Sequence, residues 1–438
     1  MPALRRHRSH PLRVHLASLG CAKNLVDSEK LLARLATAGA LVGAAADDAD
    51  VILVNTCGFI DPARRESIAV IEEASAWKAS RPGRKLFVLG CLVVRDGDAL
   101  RGRLPAVDGF FGLDEHDAIV RACGLEDEET GDTRLLLTPS HTAYLRVSEG
   151  CNHGCTYCTI PSIRGPFRSR PFAEVVAEAE ALAQLGVREL NLIGQDTAAY
   201  GTDRPEEPDM DGLLRRLHEV EGVAWIRLLY AHPRNVRAPL IRAIAELPKV
   251  VPYVDLPLQH VVDRILTAMN RGVDSKTAER LIARLRAEIP GVTLRTTFIV
   301  GFPGETEKEF EALLEGIERL RFDHVGAFPF SPEEGTAAAR LPGRVPREVV
   351  SDRLERVYAA QRTYATAANA GRVGSVVEVL VDGASSSRGI WLARTAGQAP
   401  DVDPITFLRG AATPGTFARA RIEGADELDL IASVAPGA

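Results

Sequence analysis

The sequence has little of several features that would place it in a narrow class. Its 438 residues contain seven cysteines, too few for the dense disulfide framework of a small secreted domain. The 53 Lys and Arg residues are outnumbered by 59 Asp and Glu residues, so the net charge of −6 lacks the general basic excess typical of nucleic-acid-binding proteins. No uncharged apolar run reaches the ~20 residues that a membrane helix needs. We therefore expect no membrane association.

The first residues, Met1–Arg13, are basic but lack the apolar core of a secretory signal. We therefore expect a cytoplasmic protein, in which thiols stay reduced and clustered cysteines serve metals or catalysis rather than disulfide bonds. With 46% apolar and 26% charged residues the chain has the composition of a folded protein, and its length predicts roughly three domains.

The first region alternates apolar runs of strand length with helical patterns. The runs are Val14–Leu19, Val51–Asn55 and Leu86–Leu89, and a helix is expected to begin near Asp27. Because uninterrupted apolar strands that alternate with helices form parallel sheets covered on both faces, this pattern predicts an α/β, doubly wound domain over residues 12–124. An acidic stretch then predicts a linker over residues 125–140.

Two further regions follow the linker. Six strand–helix units over residues 141–365 predict a partial (βα)6 barrel, two units short of a complete one. Residues 366–436 carry short β-branched runs separated by Gly, Pro and Asp turns, which predict a small all-β barrel.

Three cysteines lie close together at the start of the barrel region. Cys151, Cys155 and Cys158 form a C-x-x-x-C-x-x-C motif just after the first predicted strand. Three thiolates in one loop can bind a soft metal centre, and an iron–sulfur cube held by only three cysteines leaves one iron open to a small ligand. Zinc is the alternative, but a structural zinc site needs four ligands and only His153 is near enough to be the fourth.

Three other cysteines are far apart in sequence but equivalent in position. Cys21, Cys57 and Cys91 each follow a predicted strand of the first region. Because the carboxyl ends of parallel strands share one edge of a sheet, we expect the three thiols to meet and to form a second cluster site. The alternative is that they are small buried hydrophobic residues. Cys123 matches neither group, and we expect it to be structural.

The motif at Cys151, Cys155 and Cys158 resembles that of the radical S-adenosylmethionine (SAM) enzymes. This resemblance implies a 4Fe–4S cluster whose open iron binds SAM, which one electron cleaves to methionine and a 5′-deoxyadenosyl radical. Tyr157 and the segment Phe298–Glu305 match family elements near the nucleoside. Active sites collect at the carboxyl ends of barrel strands, so other polar residues are expected at the same cavity. The expected cofactor-binding residues are Tyr157, Gln195, Gln259, Gly301 and Glu305, with Asp196, Tyr230 and His260 nearby.

The three regions together resemble the methylthiotransferases. Ala-Lys-Asn after Cys21 and the segment Ala399–Asp403 are similar to the branch that modifies a ribosomal protein, whereas tRNA-modifying relatives tend to carry Gln-Met-Asn. The resemblance implies a C-terminal TRAM domain, SAM as cofactor and two 4Fe–4S clusters, the auxiliary one held by Cys21, Cys57 and Cys91. It also implies methylthiolation of the β-carbon of an aspartate in small-subunit ribosomal protein uS12, with electrons from a donor such as a flavodoxin-like protein.

The charge of the last region bears on the substrate. Residues 371–438 contain six Arg, no Lys and eight acidic residues. RNA binding depends on neutralising phosphates with basic side chains, so we expect weak or absent nucleic-acid binding and a better match to a basic protein. Two alternatives stay open: a tRNA adenosine methylthiotransferase, and a non-enzymatic iron–sulfur electron carrier whose clusters would be fully ligated.

Overall fold

A computed structural model describes residues 10–126 and 134–435. Residues 127–133 of the predicted linker lie outside the described ranges. The chain forms two compact units: the first ends at Leu137 and also includes Thr159–Pro166, and the second contains Thr138–Cys158 and everything after Pro166. Within the described ranges, no helix is long and apolar enough to cross a membrane.

The first unit is built on a five-stranded parallel sheet with strand order β2-β1-β3-β4-β5. Its elements are β1 (Arg13–Ser18), α1 (Ala22–Thr37), β2 (Leu41–Val42), β3 (Val51–Thr56), α2 (Asp61–Ala79), β4 (Lys85–Gly90), α3 (Cys91–Arg103), β5 (Gly109–Phe111), α4 (His116–Ala122) and α5 (Ile160–Arg164). Side chains of α1 and α4 cover one face of the sheet, and those of α2 and α3 cover the other. The doubly wound architecture is thus confirmed.

Helix α1 begins five residues earlier than predicted. Asp27 was expected to start the helix, but the structure places it in the second turn, and Cys21 is the residue before the first turn. The polar residues that suggested a cap are buried and used in the fold: Ser28 Oγ lies 2.8 Å from Ser18 Oγ, and Glu29 pairs with Arg134. Tertiary contacts, and not helix capping, explain the acidic and hydroxyl side chains here.

The second unit opens with six parallel strands in the order β6-β9-β10-β11-β12-β13. Its elements up to the last helix are β6 (Thr142–Arg146), β7 (Ser148–Glu149), β8 (Arg168–Ser169), α6 (Phe172–Gln184), β9 (Glu189–Ile193), α7 (Met210–His218), β10 (Trp225–Leu228), α8 (Ala238–Glu246), β11 (Val250–Asp255), α9 (Asp263–Ala268), α10 (Ser275–Glu288), β12 (Thr293–Val300), α11 (Glu307–Leu320), β13 (His324–Pro329) and α12 (Arg347–Ala370). The predicted six-stranded parallel architecture is confirmed.

The same unit ends in a closed five-stranded β-barrel, as predicted. Its strands are β14 (Val376–Ala384), β15 (Ile390–Thr395), β16 (Thr406–Arg409), β17 (Phe417–Asp426) and β18 (Asp429–Val434). Inward-facing residues such as Val379, Leu408 and Ile422 form its apolar core. Alternation of buried and exposed residues along β17 produces the short patterned run that the sequence showed.

A buried ion network joins this small barrel to the parallel strands. The carboxylate of Glu189, the first residue of β9, lies 2.7 Å from Arg394 Nη2 and 3.1 Å from Arg227 Nη2. Arg394 also pairs with Asp382 at 2.8 Å. Burial raises the pKa of Glu189, but the guanidinium groups of Arg394 and Arg227 outweigh that effect and lower the pKa to about 2.

The segment Ala399–Asp403 belongs to the same junction. Asp403 accepts hydrogen bonds from Tyr253 at 2.7 Å and from Arg295 at 3.2 Å, and Asp401 accepts one from Tyr144 at 2.7 Å. These contacts lie inside the unit, so the acidic residues of this segment dock the small barrel against the parallel strands.

Candidate cluster sites and cofactor pocket

Cys151, Cys155 and Cys158 lie in the loop that follows β7, at the carboxyl end of the parallel strands. All three are partly buried. The Cys158 amide donates to the Cys155 carbonyl oxygen at 3.1 Å, and the His153 amide lies 3.4 Å from Cys151 Sγ. Burial raises the pKa of the Cys151 thiol, so binding of a metal must displace its proton.

The loop is braced by side chains from the ends of two neighbouring strands. His153 Nε2 lies 2.7 Å from Asp196 Oδ2, and Asp196 also accepts hydrogen bonds from the His232 amide at 3.1 Å and from Asn235 Nδ2 at 2.6 Å. The rings of His153 and His232 stack with their centroids 3.8 Å apart. Asp196, which follows β9, thus fixes the residue midway between the first two cysteines of the motif.

The donor geometry also bears on the zinc alternative. A tetrahedral ion with Zn–S bonds of about 2.3 Å brings its sulfur ligands within roughly 4 Å of one another. Among the described residues, the one set whose three ligand atoms lie within 4.8 Å of one another is His153, Asp196 and His232. Neither cysteine trio has its three sulfur atoms this close together, and His153 is engaged by Asp196, so the arrangement does not present the compact four-ligand set of a structural zinc site.

His232 presents a buried donor at this site. Its Nδ1 accepts the Arg234 amide hydrogen at 3.2 Å, so the proton of the neutral ring lies on Nε2. Burial lowers the pKa of His232 to about 2, and the positive charge of Arg271 adds to the effect, so the ring is neutral. Nε2 has no hydrogen-bond partner among the described residues, which leaves it available to a bound molecule.

Arg271 and Tyr157 line the other side of the loop. Arg271 Nη1 lies 3.7 Å from Cys155 Sγ, and its Nη2 donates to the Pro257 carbonyl oxygen. Tyr157 packs against an apolar cluster that includes Met269 and Phe302, and burial raises its pKa. The sequence suggested Tyr157 through its place in the motif, whereas it gave no sign of Arg271.

The other predicted cofactor residues lie just beyond the carboxyl ends of their strands. Gln195 Nε2 donates to Glu149 at 3.0 Å, and its Oε1 is buried with no hydrogen-bond partner among the residues that the structure describes. Gln259 has a positive φ of 74° and its backbone bonds to β12 through the Thr297 oxygen at 2.8 Å. Gly301 has φ +75°, and a Cβ there would overlap a methyl group of Val350, so a glycine is required.

Glu305 is used within the protein. Its Oε2 accepts the amide hydrogens of Gly301 and of Phe302, the latter at 3.0 Å, and so holds the turn after β12. Within the described part of the chain its Oε1 has no hydrogen-bond partner, and it lies 3.5 Å from Arg353 Nη1. A direct contact between Glu305 and a cofactor stays a prediction.

The structure brings Cys21, Cys57 and Cys91 to one edge of the first unit's sheet, after β1, β3 and β4. The loops approach so closely that a Cβ on Gly20 would lie 3.1 Å from Cys57 Sγ, and one on Gly58 would lie 2.9 Å from the Cys91 carbonyl oxygen. Three segments 34 to 36 residues apart in sequence thus converge, as the strand positions predicted. Cys123 lies in the apolar core instead.

Asn24, of the Ala-Lys-Asn sequence after Cys21, ties these loops together. Its Nδ2 donates to the Thr56 carbonyl oxygen at 2.9 Å and to the Leu19 carbonyl oxygen at 3.1 Å. Asn55 Nδ2 in turn donates to the Asn24 carbonyl oxygen at 2.9 Å. Asn24, the residue that the two compared sequences share, therefore has a structural role at the second cysteine site.

The surroundings of the second trio favour negative charge. Helix α1 begins directly after Cys21 and α3 begins at Cys91, so the positive ends of both helix dipoles lie at the thiols. Burial nevertheless raises the pKa of Cys57, and raises that of Cys91 to about 11, while Arg164 opposes both shifts. Arg164 follows the other cysteine motif in sequence, and nothing in the sequence placed it here.

Comparison with known proteins tests these expectations. Residues 145–317 match the Radical SAM superfamily, residues 13–112 the Uncharacterized protein family UPF0004, and residues 373–435 the TRAM domain. A "Ribosomal protein uS12 methylthiotransferase RimO" from Pelotomaculum thermopropionicum is 44% identical over 96% of this chain and 98% of its own length. This chain belongs to the RimO family of methylthiotransferases. A second RimO, from Desulforudis audaxviator, is 45% identical over 96% of this chain and 97% of its own.

Membership in the RimO family confirms the resemblance seen in the sequence and makes the chain a radical SAM enzyme, which uses an iron–sulfur cluster and SAM. A solved structure of the radical SAM methyltransferase TsrM from Kitasatospora setae is similar, with a TM-score of 0.54 and 15% identity over 75% of this chain and 77% of that chain. At this identity the likeness shows a shared fold.

Proposed function

We propose that this enzyme transfers a methylthio group to the β-carbon of an aspartate in ribosomal protein uS12. The observation that carries the proposal is similarity to RimO proteins along nearly the whole of both chains, at 44% identity. The two separate cysteine trios support it, because methylthiolation requires both removal of a hydrogen and delivery of sulfur. A simple electron carrier would have no use for the polar strand-end residues Asp196 and His232 beside the Cys151 loop.

We assign one 4Fe–4S cluster to Cys151, Cys155 and Cys158, and an auxiliary one to Cys21, Cys57 and Cys91. The donor sets fit, since each trio offers three soft sulfur ligands of the kind that hold iron–sulfur clusters. When bound, the clusters and SAM supply the radical and sulfur chemistry that ordinary side-chain bases cannot perform at an unactivated carbon.

The chain's own residues orient and shield these groups. Asp196 holds His153 and thereby the loop of the first trio. Tyr157 and the apolar residues around it exclude water from one side. Gln195 Oε1 and His232 Nε2 offer an acceptor and a donor that have no partner in residues 10–126 and 134–435. We propose that Tyr157, Gln195, Gln259, Gly301 and Glu305 surround SAM, as their positions after successive strands suggest.

The character of the terminal barrel supports a protein substrate. Four of its charged residues, Asp382, Arg394, Asp401 and Asp403, are engaged in the internal junction, so the remaining five Arg and five acidic residues balance. Without a basic excess this surface is poorly suited to RNA. We therefore propose that nucleic-acid binding is weak or absent. We propose separately that the enzyme is located in the cytoplasm and receives its electrons from a flavodoxin-like protein. We also propose domains over residues 12–124, 141–365 and 366–436.

Mass spectrometry tests the substrate directly. The anaerobically reconstituted protein is incubated with reductant, SAM and either uS12 or tRNA. We expect uS12 to gain the mass of one methylthio group and tRNA to be unchanged. A gain on tRNA alone would replace the proposed substrate with the tRNA alternative, and the absence of 5′-deoxyadenosine in every reaction would remove the enzymatic proposal.

A further inference from the structure

A buried arginine lies against the second cysteine trio. Arg164 is on α5, whose segment Thr159–Pro166 packs in the first unit. Its side chain is only 2% exposed, and its Nη2 lies 3.4 Å from Cys91 Sγ. An arginine is always protonated in proteins, so a full positive charge is fixed beside this thiol.

The guanidinium is held in place by two residues of α1. Its Nη2 donates to Asn24 Oδ1 at 2.7 Å and lies 3.5 Å from Asp27 Oδ2. Asn24 Oδ1 is also 3.5 Å from Cys91 Sγ. The same asparagine therefore ties the cysteine loops together and orients the arginine toward the sulfur.

We infer that Arg164 is an electrostatic partner of the auxiliary cluster and raises its reduction potential. This inference rests on the proposed assignment of that cluster to Cys21, Cys57 and Cys91. On one-electron reduction the cluster gains one negative charge, which a nearby fixed positive charge stabilises. Asp27 partly offsets the arginine, so the two residues act on the potential in opposite directions.

The test is a reductive titration of the full-length, reconstituted protein followed by electron paramagnetic resonance. The cluster whose signal changes on addition of SAM is the radical one, and the other is the auxiliary cluster. In Arg164→Gln we expect the ratio of reduced to oxidised auxiliary cluster, at the wild-type midpoint, to fall at least about tenfold, because charge interactions in a buried site are weakly screened. Arg164→Lys keeps the positive charge, so its auxiliary cluster should have a midpoint potential close to that of the wild type.

A second variant keeps the arginine and tests the same effect with the opposite sign. Asp27→Asn should raise the auxiliary midpoint, and this result remains informative if Arg164→Gln fails to fold. Unchanged midpoints in both variants, with two clusters present, would overturn the inference alone. A wild-type protein that binds only the SAM-responsive cluster would instead overturn the assignment of the auxiliary site.

Discussion

The two cysteine sites use the same number of thiols but obtain them in different ways. Cys151, Cys155 and Cys158 come from one loop, and the surrounding strands brace that loop through His153 and Asp196. The site that we assign to an auxiliary cluster draws one thiol from just beyond each of three strands, so its geometry depends on the sheet. A site made by one loop can tolerate local change, whereas a site made by a sheet depends on close approach of backbones.

The largest effects should come from removing a single thiol from one site or the other. Cys151→Ala should reduce formation of 5′-deoxyadenosine to background, because that trio is assigned to SAM cleavage. Cys57→Ala should leave SAM cleavage unchanged but abolish methylthiolation. Each variant should bind roughly four iron atoms per chain rather than roughly eight, as expected for loss of one cubane cluster. Loss of SAM cleavage in Cys57→Ala would contradict the division of roles.

A pair of glycine variants compares the tolerance of the two sites. Gly90 has φ +98°, and a Cβ there would overlap Asn55 Oδ1 and lie 2.7 Å from the Thr56 oxygen. We expect Gly90→Ala to lower the free energy of unfolding by about 1–3 kcal/mol or more and to deplete the auxiliary cluster.

Gly154→Ala is the matched change in the other loop. Its Cβ would lie 3.0 Å from the end of the Asn270 side chain and meet no backbone atom, and its φ is not positive, so we expect a loss in the free energy of unfolding below about 1 kcal/mol. Thermal unfolding and iron analysis measure both variants. Equal losses of iron from the two variants would show that the strand-built site is no less tolerant than the loop-built one.

A smaller effect should follow from weakening the hydrogen bonds that hold the loop of Cys151, Cys155 and Cys158. Asp196→Asn replaces a carboxylate that accepts from His153, His232 and Asn235. We expect SAM cleavage to slow about tenfold, since one weakened buried hydrogen bond costs about 1–3 kcal/mol, and the auxiliary cluster signal to stay unchanged. Asp203→Asn, which removes an acceptor from Ser169 elsewhere in the same unit, is the control. Equal slowing in both variants would remove the specific role of Asp196.

The smallest effect should be that of pH on the stability of the second unit, which depends on the ionisation of Glu189. Its folded-state pKa of about 2 lies below the ordinary 4.5, so its ionised form stabilises the fold at neutral pH. This contribution, at most about 3 kcal/mol, is lost as the pH falls from about 4.5 toward 2. The Glu189→Gln variant should have a lower melting temperature than the wild type at neutral pH. Its melting temperature should then fall less steeply than that of the wild type as the pH is lowered from 7 into the acid range. Parallel profiles would contradict the assigned role.

Much of this molecule could be predicted because the features that determine it lie in short stretches of sequence. The fold class, the six parallel strands and the final barrel follow from apolar runs and turns, and Cys21, Cys57 and Cys91 follow from equivalent strand ends. Arg164 and Arg271 could not be found in this way, since a buried arginine looks like any surface arginine in sequence. The residues around Asp403 matched a family segment, but their docking contacts depend on strands more than 100 residues away.

The discontinuous first unit has a consequence for the order of synthesis. All three auxiliary cysteines leave the ribosome before Cys151, but the guanidinium that lies against Cys91 is at residue 164. Chains emerge from the N-terminus, and domains generally fold as they are made. The auxiliary site therefore gains its buried positive charge only after the whole motif of Cys151, Cys155 and Cys158 has been translated. Its three thiols are made first, but the site is completed after that motif.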